Sequence, residues 1–282
     1  MKDVIKDRTF DTERALYNLT NTKVQRCIFA GPADGESAFK ESHDIEVDKC
    51  RFELRYPFWH ASDFVISNSE MTVTCRAPLW YASNATISDS ILNGVKTLRE
   101  CSAITINNCS VVSPEFGWKC NDLVFNNCDM ESEYYLFECK DVSINNLKMR
   151  GKYSFQYTEN VHIKNSVLNT KDAFWHCKNV TAENCEINGE YLAWYSDGLT
   201  LINCTISGTQ PLCYCKNLRL IDCKMNGTDL SFEYSDVCAD IIGEIESVKN
   251  PRSGYINADS ISAIITEGSI MDSTCVITER KA

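Results

Sequence analysis

The chain has 282 residues, 44% of them hydrophobic, and a formal charge of -11 at pH 7. So acidic a surface argues against nucleic acid or an anionic membrane as the main partner, since both select basic surfaces. No apolar run reaches the about 18 residues of a membrane span, and the stretch from Met1 to Arg8 is no secretory signal, so a cytoplasmic protein is expected.

Taken in order, residues 1–10 read as an N-terminal cap, 11–245 as repeating coils and 246–282 as an irregular last coil and cap, all within one domain. The first coil runs from Glu13 to Tyr17 and from Val24 to Phe29, and the segment Gly31 to Gly35 reads as a turn insertion, because Cys27 and Cys50 lie 23 residues apart. From Ser90 to Cys223 the period is a strict 19 residues. The strings AITINNCSV, DLVFNNCDM, DVSINNLKM, NVHIKNSVL, NVTAENCEI, GLTLINCTI and NLRLIDCKM begin at 103, 122, 141, 160, 179, 198 and 217. Apolar residues alternate inside each string, as at Val142 and Ile144, which is strand periodicity. A third run upstream, such as Tyr191 to Tyr195, reads as another strand, and the column Gly94, Gly151, Gly189, Gly208, Gly227 reads as a turn. A fixed period with no helical spacing predicts an all-β solenoid, a single-stranded parallel β-helix of about 12 to 13 coils.

Two columns carry structural detail. Asn108, Asn127, Asn146, Asn165, Asn184, Asn203 and Asp222 continue the inward alternation, which predicts a buried ladder bonded from coil to coil. Eleven of the 16 cysteines fall in two further columns, where Ser, Thr and Leu fill the gaps. That exchange predicts small, reduced, buried filler rather than disulfides or a zinc site, and no metal or other cofactor is expected.

The strings DVSINNLKM and NVHIKNSVL resemble strands of pectin-lyase-like right-handed β-helix proteins, among them pectate lyases and polygalacturonases. WHCKNVTAENC and CYCKNLRLIDC are similar to polygalacturonase-type coils. With RYPFWH, PEFGWKC, ESEYYLFE, GKYSFQY and GTQPLCYC, the whole chain more closely resembles a family of uncharacterised cytoplasmic proteins in that superfamily. The resemblance implies a right-handed parallel β-helix and no activity. The Asn-Thr-Asp and Gly-His-Gly strings of polygalacturonases and the Asp cluster of a pectate lyase are missing, so no catalytic residue is carried over.

Function in a solenoid sits on the face with large, non-repetitive side chains. Here that is the run before the first cysteine column. Trp59, Trp80, Arg99, Trp118, Trp175 and Trp194 form one row, and His60, Tyr81, Glu100, Lys119, Glu138, Tyr157, His176, Tyr195 and Tyr214 the next. With Phe58, Leu79, Leu98 and Phe174 inward, both rows are expected outside, suited to stacking on sugar rings; the other possibility is that the tryptophans fill the core. Mixed charge along the face favours a neutral or mixed-charge glycan. Glu100 and Glu138, with Lys119 between them, lie two coils or about 9.6 Å apart, near the upper end for an inverting glycosidase pair. A surface Glu-Lys-Glu ion-pair ladder gives the same spacing. The reading is a carbohydrate-binding or carbohydrate-active protein, a glycoside hydrolase or lyase if an enzyme. The alternative is a non-catalytic interaction scaffold, and the C-terminal edge could pair with a second copy.

Overall fold

The computed structural model describes residues 2–32 and 35–280. Its strands stack in parallel as a single-stranded right-handed β-helix of about 14 turns. The extra turns come from the two ends. Asp3–Lys6 pairs with Thr20–Gln25 and Thr9–Phe10 with Ile28–Phe29, so the segment expected as a cap is itself a coil. Likewise Ser253–Ala258, Ser260–Ile265 and Val276–Glu279 carry the stack on past residue 246. Met1, Ala33, Asp34, Lys281 and Ala282, which belong to the expected caps and the Gly31 to Gly35 insertion, lie outside the described residues.

Close packing divides the chain into two units, residues 1–143 and 144–282. In the first, Ile104 pairs with Leu123 and Ile106 with Phe125, the 19-residue step made visible as register. Its core stacks Phe29 on Phe52 at 4.9 Å and Phe39 on Phe58 at 5.1 Å, with nearly parallel rings. In the second, Val180 pairs with Leu199 and Ala182 with Leu201, and Phe155 stacks on Phe174 at 4.7 Å. Each such pair adds about 0.5 to 1.5 kcal/mol to plain burial.

The asparagine ladder exists, but it is on the outside. Asn108, Asn127, Asn146, Asn165, Asn184, Asn203 and Asp222 are exposed and adopt φ between 49 and 56°. One left-handed residue interrupts the two-residue alternation: Ile104 and Ile106 point in, Asn108 points out, and Cys109 and Val111 point in again. The side chain after the corner therefore takes the inward place expected for the asparagine. Asn tolerates this backbone better than other non-glycine residues. Rung-to-rung bonds follow, Asn203 Nδ2 donating to Asn184 at 2.7 Å and Asn127 to Asn108 at 3.1 Å.

The residue after the corner has more to do than fill space. Its backbone N–H faces the next rung, where Ser69 Oγ accepts from Cys50 N at 3.0 Å and Ser166 Oγ from Leu147 N at 3.0 Å. A cysteine fills the same role more loosely, Cys50 Sγ accepting from Cys27 N at 3.4 Å. Ser and Cys thus exchange because both are small acceptors.

The third run is a strand in Leu79–Trp80, Leu98–Arg99, Glu115–Trp118 and Tyr134–Phe137, and again at the far end, where Glu244–Lys249 stacks on Ser231 and Ser260–Ile265 on Glu244–Lys249. Elsewhere it is a stack of turns, with positive φ at alternate residues such as Asp172, Phe174 and His176. Alternation of inward and outward side chains survives, which is why the sequence reads as a strand. For Gly189 and Gly208 the decisive constraint is close approach: a Cβ would lie 2.0 Å from Thr170 O and 2.2 Å from Gly189 O respectively.

Two measurements test these assignments. Asn184→Gly should shift stability by less than about 1 kcal/mol, whereas Asn184→Val should cost about 1 to 2 kcal/mol more in chemical denaturation, because a β-branched residue resists this φ. Equal effects would contradict the left-handed corner. Thiol titration of the native protein should find Cys238 fast and Cys275 slow, the latter pushed up to about 11 by burial, with the 14 buried thiols silent until denaturant is added.

Candidate functional site

The two rows of large side chains lie outside, as the buried Phe58, Leu79, Leu98, Leu136, Phe155, Phe174 and Leu212 beside them require. All five tryptophans are half-buried, flat against the stack rather than inside it. The outer row projects because His60, Tyr81, Glu100, Lys119 and Glu138 in the first unit, and Tyr157, His176, Tyr195 and Tyr214 in the second, again occupy a left-handed corner.

In the first unit the inner row is a cation–π column. Lys40 Nζ sits 4.3 Å from the Trp59 ring, Trp59 stacks on Trp80 at 6.0 Å, and the Arg99 guanidinium lies 5.6 Å from Trp80 and 5.9 Å from Trp118. Trp118 then meets Phe137 at 5.1 Å. Outside it, His60 stacks on Tyr81 at 4.8 Å. Tyr56, whose ring is 6.1 Å from Trp59 and 6.0 Å from Trp80, was absent from the expected set, and Lys40 was expected only among the charges of this face. Lys40 stands 19 residues before Trp59 in the same column.

Lys119, between the two glutamates, pairs with one of them. Glu100 Oε1 is 3.6 Å from Arg99 Nε, and Lys119 Nζ is 3.8 Å from Glu138 Oε2, so Lys119 serves the later carboxylate and Arg99 the earlier. The Glu138 side chain is 44% exposed. Register puts Arg99 beside Trp118 and Trp118 beside Phe137, which keeps the two glutamates two rungs apart. Among the described residues, no group of three or more His, Cys, Asp or Glu side chains could hold a metal ion.

In the second unit, Tyr157, His176, Tyr195 and Tyr214 form one continuous stack, with centroid steps of 4.9, 5.1 and 4.8 Å and interplanar angles of 9 to 12°. Trp175 and Trp194 lie behind it, 5.4 Å apart and parallel within 2°. The ring faces expected to meet sugars are spent on one another, because the rung spacing is close to that of stacked rings. What reaches solvent is edges and hydroxyls. Burial, with the Glu233 carboxylate adding to it, pushes the Tyr214 phenol up to about 12.

The two units differ in how the indoles are satisfied. Trp175 Nε1 donates to Tyr191 O at 2.6 Å and Trp194 Nε1 to Gln210 O at 2.8 Å. In the first unit Trp59, Trp80 and Trp118 Nε1 are shielded from solvent and meet no acceptor among the described residues. An orphaned buried donor costs about 1 to 3 kcal/mol. Hence Trp194→Phe, which strands the Gln210 carbonyl, should destabilise the protein by about 1 kcal/mol more than Trp80→Phe, which removes an orphan. Thermal melts of the two variants decide it, and a larger loss for Trp80→Phe would mean that its N–H is satisfied.

Among curated proteins the sequence finds no match. Solved structures give distant likenesses. A surface adhesin of Streptococcus pneumoniae, PfbA, aligns at 9% identity and TM-score 0.46 over 93% of this chain and 82% of that one. The A-module of an Azotobacter vinelandii mannuronan C-5 epimerase aligns at 11% and 0.36 over 99% and 92%. The catalytic domain of a GH87 alpha-1,3-glucanase, in complex with tetrasaccharides, aligns at 10% and 0.32 over 99% and 64%. None of them brings a site residue onto this chain. The match that covers the molecule is to a family described as protein of unknown function (DUF3737), over residues 3–278, and the chain belongs to that family.

Proposed function

We propose that the protein is a non-catalytic binding module for an extended, neutral or mixed-charge glycan, held along the first-unit face that contains Trp59, Trp80, Arg99 and Trp118. The observation that carries this reading is the line of three indole donors without acceptors among the described residues, beside the exposed edges of His60 and Tyr81. A sugar chain is rich in hydroxyl oxygens, so it supplies acceptors rung after rung without adding charge. The charges along the face are matched in place, Arg99 with Glu100 and Lys119 with Glu138, which disfavours a strongly anionic ligand. Because the donors are shielded, the side chains over them must shift when the ligand arrives. Glu138, paired with Lys119 and half in solvent, has the setting of a surface ion pair. Sixteen free cysteines, fourteen of them buried, suit a reducing compartment such as the cytoplasm.

A glycan array with the full chain should identify neutral oligosaccharides that bind, with a change in tryptophan emission on titration. Trp80→Phe combined with Trp118→Phe should weaken such binding at least about tenfold, since each lost hydrogen bond is worth about 1 kcal/mol. Glu138→Gln should leave affinity unchanged, and no shorter sugars should accumulate with the wild type. An array without hits, or a double variant that binds as before, defeats the proposal. Release of cleaved sugar that stops in Glu138→Gln would show an enzyme instead.

A further inference from the structure

The two ends of the stack are finished in opposite ways. At the start, the edge strand Asp3–Lys6 is flanked by Lys2, which pairs with Asp44 at 3.0 Å and Glu46 at 3.4 Å, while the Arg8 guanidinium lies 5.0 Å over the Phe10 ring that ends the aromatic core. Charge in the edge strand and a cation over the core are the usual defences against strand addition. At the other end, Ser260–Ile265, sequence SISAII, is paired among the described residues with one strand, Glu244–Lys249, in a two-stranded sheet, and contains no charge, proline or glycine. Val276–Glu279 pairs only with Ser253–Ala258. Around these strands Ile264 is 49% exposed, Val276 61%, Met271 40% and Ile270 83%. Ile264, Ile270 and Met271, with Pro251 and Ile277, line an open cavity of about 660 Å³. One protection is present: Glu279 Oε1 accepts from Ile261 N at 2.7 Å, and Ile265 O accepts from Asn250 N at 3.0 Å, so the outward-facing groups left on the edge centre on Ala263.

We propose that this C-terminal end is the interface of a symmetric dimer, in which Ser260–Ile265 pairs antiparallel with the same strand of a second copy. A partner for this end must offer both an unpaired strand and an apolar layer to cover the last coil. The same end of another molecule has both. A two-fold axis perpendicular to the sheet keeps inward faces inward on both sides of the junction and makes the contact isologous, so it closes at two copies. The absence of charge from the strand lets it meet itself without like-charge repulsion. Glu267, Asp272 and Glu279 stand around this end, so the dimer tightens as salt rises.

Sedimentation or light scattering of the full chain, without glycan, gives the test. The wild type at tens of micromolar should weigh twice the chain mass of 31.9 kDa. Ile264→Lys should be monomeric with an unchanged circular dichroism spectrum. Ile270→Asp, at a site too exposed to matter for folding, should raise the dissociation constant at least about tenfold, while Val4→Lys at the other end should have no effect. The outward-facing amide of Ala263 should lose exchange protection on dilution, while that of Ile264, which faces Glu244–Lys249 in the same chain, should not. A monomeric wild type, a mass that keeps growing with concentration, or disruption by Val4→Lys rather than Ile264→Lys overturns the proposal. The result is independent of the glycan reading, since no first-unit binding residue is altered.

Discussion

Everything in this fold depends on a backbone that turns left at the same place in every rung. A parallel strand can stack on its neighbour only if both bend at matched positions, and the bend here is made by single residues with φ near +50°. The cost of that conformation explains the asparagines and aspartates at the corner after the long strand. It also fixes the residue that follows, which must turn inward at once and must be small. Where the corner carries His, Tyr, Glu or Lys instead, the same bend throws a large side chain outward. The outward face is thus a by-product of backbone geometry before it is a binding surface.

Stacking has a second consequence, which divides the molecule chemically. Rings repeated at the rung spacing satisfy one another, and in residues 157 to 214 they do so completely, down to carbonyls placed for the indole N–H groups. Between Trp59 and Trp118 the pattern is interrupted by Arg99, and the indole donors there are left over. A face that is internally complete has little to gain from a ligand. A face with unspent donors does, which is why the functional reading rests on the less regular half of the row.

Periodicity made most of the fold legible. The strict spacing from Ser90 to Cys223 gave register directly, because a parallel stack converts a sequence interval into a spatial neighbour. Burial of the apolar column was equally readable, and it placed the tryptophans outside. The direction of the asparagine ladder was misread because alternation by twos was carried across a corner that resets it. The upstream turns looked like strands because alternating left-handed residues preserve the inward and outward pattern. The partners of Glu100 and Lys119 were not readable at all, since they depend on rotamers of long, half-exposed side chains.

In the stacked turns of the first unit, Tyr56, Phe58 and His60 all donate their N–H to the later rung, to the carbonyls of Arg76, Pro78 and Trp80, and Arg14, Leu16 and Asn18 and then Ser37, Phe39 and Glu41 do the same. The middle bond is reversed in the second unit, where Phe174 donates back to Ser154 and Ala193 back to Ala173. Peptide dipoles therefore add up along the first stack and partly cancel in the second. The added dipoles run toward Arg99 and Trp118 with their positive ends leading, so this ribbon of turns acts on its later rungs as a helix acts at its N-terminus, favouring electron-rich oxygen there without the expense of a formal charge.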